Sequence, residues 1–339
     1  FSLKEKSRGA KAKPSVWKKL KTNKSGAEGK IVALAPLAGF TESAFRRLCR
    51  ELGADLTWTE LISANAILAK GLKLPGLYIS CEERPLRFQL QGSVEKTLAQ
   101  AAELVLKELK PEGLDLNAGC PAKKVVKTGA GAALLENLPK LFRIAKALAE
   151  IAHGHGVDFS VKFRLGFAED RLEAIAETLL SAGVDILVLH PRTAKEAFKG
   201  KARWERIRDL VSLAQDKASV YGSGDVKTLR DIENFFALTE AQGVLIGRAA
   251  LFRPWIFKEW HERQIFDLNF SERLALLKRL YTYLLAYRNE KDALRFLKTF
   301  APKFFKGLPL KRKFLPALLA KENTALFWKE LESWQKFVE

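Results

Sequence analysis

LDLNAGCPAKK, residues 114–124, begins as an apolar run and stops at Asn117, after which Gly119, Cys120 and Pro121 precede two lysines. A structural cysteine belongs inside a hydrophobic pattern, whereas Cys120 sits where one ends. The same grammar recurs eight times: IVALAP (31–36), LTWTE (56–60), LRFQL (86–90), LDLN (114–117), FSVKF (159–163), ILVLH (186–190), SVYGSG (219–224) and GVLIG (243–247). Each run is followed by a loop and a stretch of helical period. The runs show little alternation, as expected of parallel strands covered on both faces. Thr41 is expected to cap TESAFRRLCREL and Ser93 to cap SVEKTLAQAAELVLKEL, while AEDRLEAIAETLLSAG should stop at Gly183. An α/β chain with eight such units between residues 31 and 260 has the size of a (β/α)8 TIM barrel. A doubly wound open sheet competes, but no G-x-G-x-x-G follows the first run. Residues 261–339 hold no strand-like run and read as a C-terminal all-helical domain built from SERLALLKRLYTYLLAYR, KDALRFLKTFAPKFF and 316–338.

Charge is distributed as unevenly as hydrophobicity is regular. The net charge is +19; residues 1–30 carry ten Lys/Arg against two Glu and residues 261–339 sixteen against nine acids, leaving +4 for the body between. A polyanion such as nucleic acid is the usual partner of such flanks. The chain begins with Phe and contains no Met, so residue 1 is not expected to be a natural start, and the first ~12 residues read as tag-derived or disordered. Cys49, Cys81 and Cys120 make no C-x-x-C pair, so disulfides and zinc are poor expectations and a reducing, cytoplasmic setting is the expected one. No apolar run approaches the roughly 20 residues of a membrane span.

In a TIM barrel the chemistry sits at the carboxyl ends of the strands. Here those ends are Pro36, Glu60, Gln89, Asn117, Lys162, His190, Ser223 to Asp225, and Gly247 with Arg248. A lysine inside a central parallel strand costs several kcal/mol to desolvate without an anionic partner, so Lys162 points to a ligand. His190 alone is as well explained as a satisfied structural group. His153 and His155 in a turn and His261 beyond the barrel read as structural or solvated, and no metal-ligand spacing is present. YGSGDV and LIGRAAL place Ser223, Gly224, Asp225, Gly247 and Arg248 where barrels usually bind phosphate, although glycine turns without a ligand have the same appearance. A phosphate cradle, a buried lysine, two amides and a cysteine suggest an organic phosphate cofactor. FMN fits better than pyridoxal phosphate, the lysine facing the flavin edge and Gln89 and Asn117 its pyrimidine part.

APLAGFTESAFR (35–46), FQLQG (88–92), LDLNAGCPAKKVVKTGAGAALL (114–135), VKFRLG (161–166), LHPRT (189–193), YGSGDV (221–226) and IGRAALFRPWIF (246–257), in this order, resemble the flavin-dependent tRNA-dihydrouridine synthases. KFFKGLP and RKFLPALL in the tail are similar, more loosely, to that family's helical RNA-binding domain. The resemblance implies FMN contacts from Pro36, Leu37, Ala38, Gln89, Lys162, His190, Ser223, Gly224, Asp225, Gly247 and Arg248, with Asn117 facing the uracil and Cys120 as proton donor. Leu37 stands where the family usually has Met, and Ser223 where Asn is common. The implied reaction reduces the uracil C5–C6 bond in tRNA: hydride from FMN reaches C6, a neutral thiol protonates C5, and NADPH regenerates the flavin. A thiol suits that role because it is mostly protonated at neutral pH yet yields its proton readily.

The substrate uridine must leave its tertiary packing, so affinity has to come from elsewhere on the tRNA. Lys123, Lys124 and Lys127 beyond Cys120, and Arg192 with Thr193, are candidates for RNA contact, against the plain reading of a solvated lysine run. Nine basic residues between Arg288 and Lys313 alternate with Phe296, Phe300, Phe304 and Phe305; at helical spacing the phenylalanines are better read as core than as base-stacking rings. The expected arrangement is therefore a basic extension (1–30), an FMN-binding barrel (31–260) and a helical tRNA-binding domain (261–339), acting as a monomer. An FMN enzyme of a free pyrimidine, or a non-catalytic tRNA-binding protein, are the alternatives; neither explains both the basic flanks and the intact Cys120, Asn117 and Lys162.

Overall fold

The computed structural model describes residues 29–73, 75–310 and 312–338. The basic segment before residue 29, and Lys311, lie outside the described residues. The chain runs β1 (Ile31–Leu34), α1 (Ser43–Glu51), β2 (Thr57–Trp58), β3 (Ile62–Ser63), α2 (Ala64–Lys70), β4 (Leu86–Gln91), α3 (Glu95–Glu108), β5 (Gly113–Ala118), α4 (Lys123–Val126), α5 (Leu138–Gly154), β6 (Asp158–Arg164), α6 (Leu172–Ser181), β7 (Ile186–His190), α7 (Trp204–Ala214), β8 (Ser219–Ser223), α8 (Leu229–Thr239), β9 (Gly243–Ile246), α9 (Arg248–Phe252) and α10 (Ile256–Glu262). Then come α11 (Phe270–Leu285), α12 (Glu290–Phe304), α13 (Phe314–Leu319) and α14 (Thr324–Val338). Every expected run contains a strand.

All strand pairs are parallel, and the sheet closes: β1 pairs with β2, β2 with β4, each later strand with the next, and β9 returns to β1 with Ile31 opposite Gly243 and Leu34 opposite Ile246. This is the (β/α)8 barrel, and the short β3 is a ninth strand laid against the end of β4 (Ile62 opposite Leu90). Closure leaves none of the eight barrel strands as an edge along its whole length, as an open doubly wound sheet would have done.

The expected lack of alternation fails on one side of the barrel. In β4, β5 and β6, Phe88, Leu90, Leu114, Leu116, Phe159, Val161 and Phe163 pack outward with the helices. Between them stand Arg87, Gln89, Asp115, Asn117, Ser160, Lys162 and Arg164, which bond to one another from strand to strand, Gln89 to Asp115 on the adjacent strand and Arg87 to Ser160 two strands along. Opposite, a separate apolar cluster of Ile31, Ala33, Ala35, Leu56, Trp58, Ile186, Val188, Tyr221 and Leu245 fills the interior. The barrel is dry on one side and polar on the other. A strand with polar residues at every second place reads as half-exposed by pattern alone, although here they are buried in a network.

Two expected caps fall elsewhere. Glu42, not Thr41, precedes α1; the Thr41 hydroxyl accepts from Leu37 N–H (2.9 Å) and donates to Leu37 C=O, closing the loop after β1. Helix α3 starts at Glu95 after Val94, and the Ser93 hydroxyl donates to the Thr128 carbonyl, tying that loop to the one after β5. The stop at Gly183 is as expected: α6 ends at Ser181 and Gly183 takes φ +80°.

The tail helices dock on α1. Tyr283 donates to Glu51 (2.6 Å), Arg288 pairs with Glu42 (2.7 Å), and Phe300 of α12, fully buried, meets Phe45 of α1 at 4.8 Å and Phe296 at 4.9 Å. The phenylalanines are core, as their spacing indicated. The last expected helix breaks into α13 and α14, with Asn323 accepting from Leu326 N–H at the second start. No described helix is long and apolar enough to cross a membrane.

Candidate active site

At the carboxyl ends of the strands lies a cavity of about 630 Å³, within the range of about 300–1,000 Å³ typical of cofactor pockets. Pro36, Leu37, Ala38, Gln89, Asn117, Cys120, Lys162, His190, Ser223, Gly224, Asp225, Gly247 and Arg248 all line it. Residues drawn from seven strand ends thus share one wall. Lys123 and Lys124 do not line it; they stand exposed on α4, just beyond Cys120.

The loop carrying Cys120 is held from three directions. Asn117 Oδ1 accepts the backbone N–H of Cys120 (2.9 Å) and of Gly119 (3.2 Å), and the Cys120 carbonyl accepts from Ala132 N–H (3.0 Å). Arg164 Nε donates to the Gly119 carbonyl (2.9 Å). Gly131, at φ +60°, presses on the loop so closely that a Cβ there would lie 2.6 Å from the Cys120 carbonyl oxygen. The KTGAGAALL stretch is therefore a brace, which sequence reading treated only as a motif.

Lys162 stands on β6 beside Asn117 in the register, and among the described residues its ammonium makes no ion pair. Burial, then the nearby Arg164, lowers its pKa to about 8, with Asp115 and Cys120 pulling the other way. Arg164 is itself lowered to about 10, chiefly by burial and next by Arg192. Burial and then Lys162, Arg164, Arg192 and Arg248 hold His190 far below the usual imidazole range, so its ring is neutral. Arg192 lies 3.2 Å from His190 Nε2, and a guanidinium can only donate, so Nε2 accepts and the proton rests on Nδ1.

Arg192, expected among the RNA contacts, is turned inward and does not line the cavity. Its side chain is 2% exposed and is spent inside the protein, donating to the Lys199 and Gly200 carbonyls and to Asp225 (2.6 Å). Thr193, also buried, ties down the same loop through Glu196. A basic residue after a strand end looks the same in sequence whether it faces solvent or its own loop. Asp225, which also lines the cavity, accepts from Arg192 and from Ala202 N–H and lies 3.6 Å from Arg248, so its carboxylate orients cations there. His153 pairs with Asp185, His155 with Glu103, and His261 with the Gly53 carbonyl. No metal-binding cluster occurs among the described residues.

Sequence reading missed Asp115, Arg164, Phe198, Arg253 and Lys306. Asp115 and Arg164 were legible as the inward partners of Asn117 and Lys162 at period two. Phe198, 56% exposed on the rim, lies under Arg248 at 4.5 Å. Lys306, just beyond α12 in the tail, lines the cavity with Arg253 and Lys227, a placement only tertiary structure creates.

The donor set suits FMN. An unpaired lysine, a neutral histidine with a free donor and the cation Arg248 favour an anion, and the apolar half offers a face for a planar ring. At Gly247 a Cβ would meet nothing nearer than Leu37 Cδ2 at 3.5 Å, so packing within the chain does not require glycine there; the bare backbone keeps the cavity wall open. At Gly224 the chain itself demands glycine: φ is +106° and a Cβ would lie 2.9 Å from Ala202.

Residues 33–331 match the family model Dihydrouridine synthase (Dus). A probable tRNA-dihydrouridine synthase of Aquifex aeolicus (strain VF5) is 40% identical over 301 residues, covering 89% of this chain and 95% of that protein. tRNA-dihydrouridine synthase B of Pseudomonas syringae pv. tomato (strain ATCC BAA-871 / DC3000) is 33% identical over 231 residues, 67% of this chain and 66% of that one. Among solved structures, a 2-naphthoyl-CoA reductase complex superposes with TM-score 0.53 at 12% identity over 73% of this chain and 53% of that one, a likeness of fold alone.

Proposed function

The chain belongs to the dihydrouridine synthase family and reduces uridine in tRNA to dihydrouridine, and on that premise we propose that it does so with FMN in the strand-end cavity and Cys120 as the proton donor. The observation that carries this reading is that Cys120, Asn117 and Lys162 line the same cavity as the glycine-bearing, cationic segments Ser223–Asp225 and Gly247–Arg248. Bound there and reduced by NADPH, FMN would supply the hydride chemistry at uracil C6.

The residues then have separable tasks. Lys162 and the Nδ1–H of His190 donate to the flavin, while Gly224, Gly247 and Arg248 receive its phosphate, with Ser223 a shorter reach than the usual Asn. Pro36, Leu37 and Ala38 support the ring, and Gln89 lends its remaining N–H to it. Asn117, with two backbone donors on its oxygen, keeps one N–H for the uracil and holds the thiol in place. Cys120 Sγ–H gives its proton to C5 and is left as thiolate, to be reprotonated from solvent through the open mouth.

Recognition of the tRNA falls to the rim and the tail. Lys123 and Lys124 beside the thiol loop, and Lys306 lining the cavity, are placed to hold phosphates around an inserted base. Residues 261–339 form the tRNA-binding domain. We read the enzyme as a monomer, and the free thiols of Cys49, Cys81 and Cys120 suit a reducing compartment such as the cytoplasm. Titration with FMN tests the cofactor: saturable binding with a perturbed flavin spectrum is expected, weakened about tenfold or more in Lys162→Met, for loss of a charged donor. Absence of flavin binding would overturn the assignment.

A further inference from the structure

Asp115 makes no hydrogen bond to Cys120, Asn117 or Lys162, yet it is fully buried close to them. Its Oδ2 accepts from Gln89 Nε2 (2.7 Å), Gln89 Oε1 accepts from Asn117 Nδ2 (2.8 Å), and Asn117 Oδ1 accepts from Cys120 N–H (2.9 Å). The Ser160 hydroxyl donates to its other oxygen, Oδ1. Each amide in this chain has two ways round, and both ends decide between them. A carboxylate at the foot accepts, so Gln89 must turn its NH2 down and its oxygen up; Asn117 must then present NH2 to Gln89 and oxygen to the Cys120 loop. Read from the top, backbone N–H groups can only donate, which dictates the same order.

We propose that Asp115 is a positioning residue: it fixes the orientation of Gln89 and Asn117 and through them the placement of the Cys120 thiol. The inference rests on Cys120 being the proton donor. Asparagine can serve at position 115, since its oxygen can accept from Gln89 while the Ser160 hydroxyl turns to accept from its NH2 and donates to the Leu114 carbonyl, 3.3 Å away. Leucine, of similar size, can accept nothing; Gln89 is then free to rotate and Asn117 loses its anchor.

The chain has three cysteines, so selective 15N-cysteine labelling gives three amide signals, with Cys49 and Cys81 as internal reports on folding. In Asp115→Leu, and in Asp115→Ala as the variant without bulk, the Cys120 amide should exchange about tenfold faster or more, as loss of a buried hydrogen bond implies, with the other two unchanged. With FMN bound, kcat should fall about tenfold or more while KM for tRNA stays within about threefold, because the lost restraint acts on the reacting thiol and the inserted base and not on the phosphate contacts that dominate tRNA affinity. Asp115→Asn should restore both. Folded Leu and Ala variants with native Cys120 exchange and kcat, or no rescue by Asn, overturn the inference; collapse of all three signals in both variants assigns Asp115 to folding and overturns it too. Failure of the proton-donor reading is seen separately, as activity surviving in Cys120→Ala.

Discussion

Lys162 is a cation set where burial works against it. Its pKa falls from 10.5 to about 8, so between those values the unfolded chain holds more protons than the folded one, and stability rises with pH through that window. Below about pH 8 the lysine is charged in both states and the penalty is constant. Without ligand, Lys162→Met should therefore melt higher than the native protein at pH 7, with the advantage shrinking toward pH 10.5; scanning calorimetry across that range checks it. An advantage that does not change with pH would argue against a desolvated ammonium. FMN affinity should move the other way, falling above about pH 8 in the native protein and staying flat in the variant, since a ligand that needs the charge binds less well as it is lost. The strand pattern alone showed that Lys162 needs a partner. Its neighbours Asp115 and Arg164 are harder to read from sequence, because period-two alternation within so short a run is barely distinguishable from none.

At the scale of elements, the loop after β5 owes its shape to residues far along the chain. Gly131→Ala would force an L-residue to φ +60° with its Cβ against the Cys120 carbonyl, a strain of about 1–3 kcal/mol. Turnover should drop while flavin content holds, measured by absorbance of the purified variant alongside initial rates; an unchanged rate would show that the brace does not set the thiol. The tail is joined to the barrel by its aromatic face. Phe300→Ala, removing a fully buried ring packed on Phe45, should cost about 3–5 kcal/mol by denaturant unfolding. The strands and most helices were readable because each run carries its own periodicity. The caps at Thr41 and Ser93 were not, because both hydroxyls serve loop closure, and a hydroxyl before a helical stretch looks the same in either role.

Over the whole molecule, positive charge gathers around the mouth and on the tail, and the tail basics prove of two kinds. Arg288 is committed to Glu42, whereas Lys306 faces the cavity. Composition could count these residues but not sort them, since ion pairing depends on what tertiary packing brings near. If the free ones hold phosphates, tRNA affinity should fall roughly tenfold per two neutralised phosphates between about 50 and 200 mM salt. Filter binding at several salt concentrations checks this, and a flat response would remove the electrostatic footprint. The central claim is tested most directly by mass spectrometric mapping of dihydrouridine in unmodified tRNA incubated with FMN, NADPH and either the native protein or Cys120→Ala. The account predicts new dihydrouridine with the native protein, and almost none with a variant that still binds flavin. No new dihydrouridine at any position with the native protein, or equal amounts with both, would contradict it.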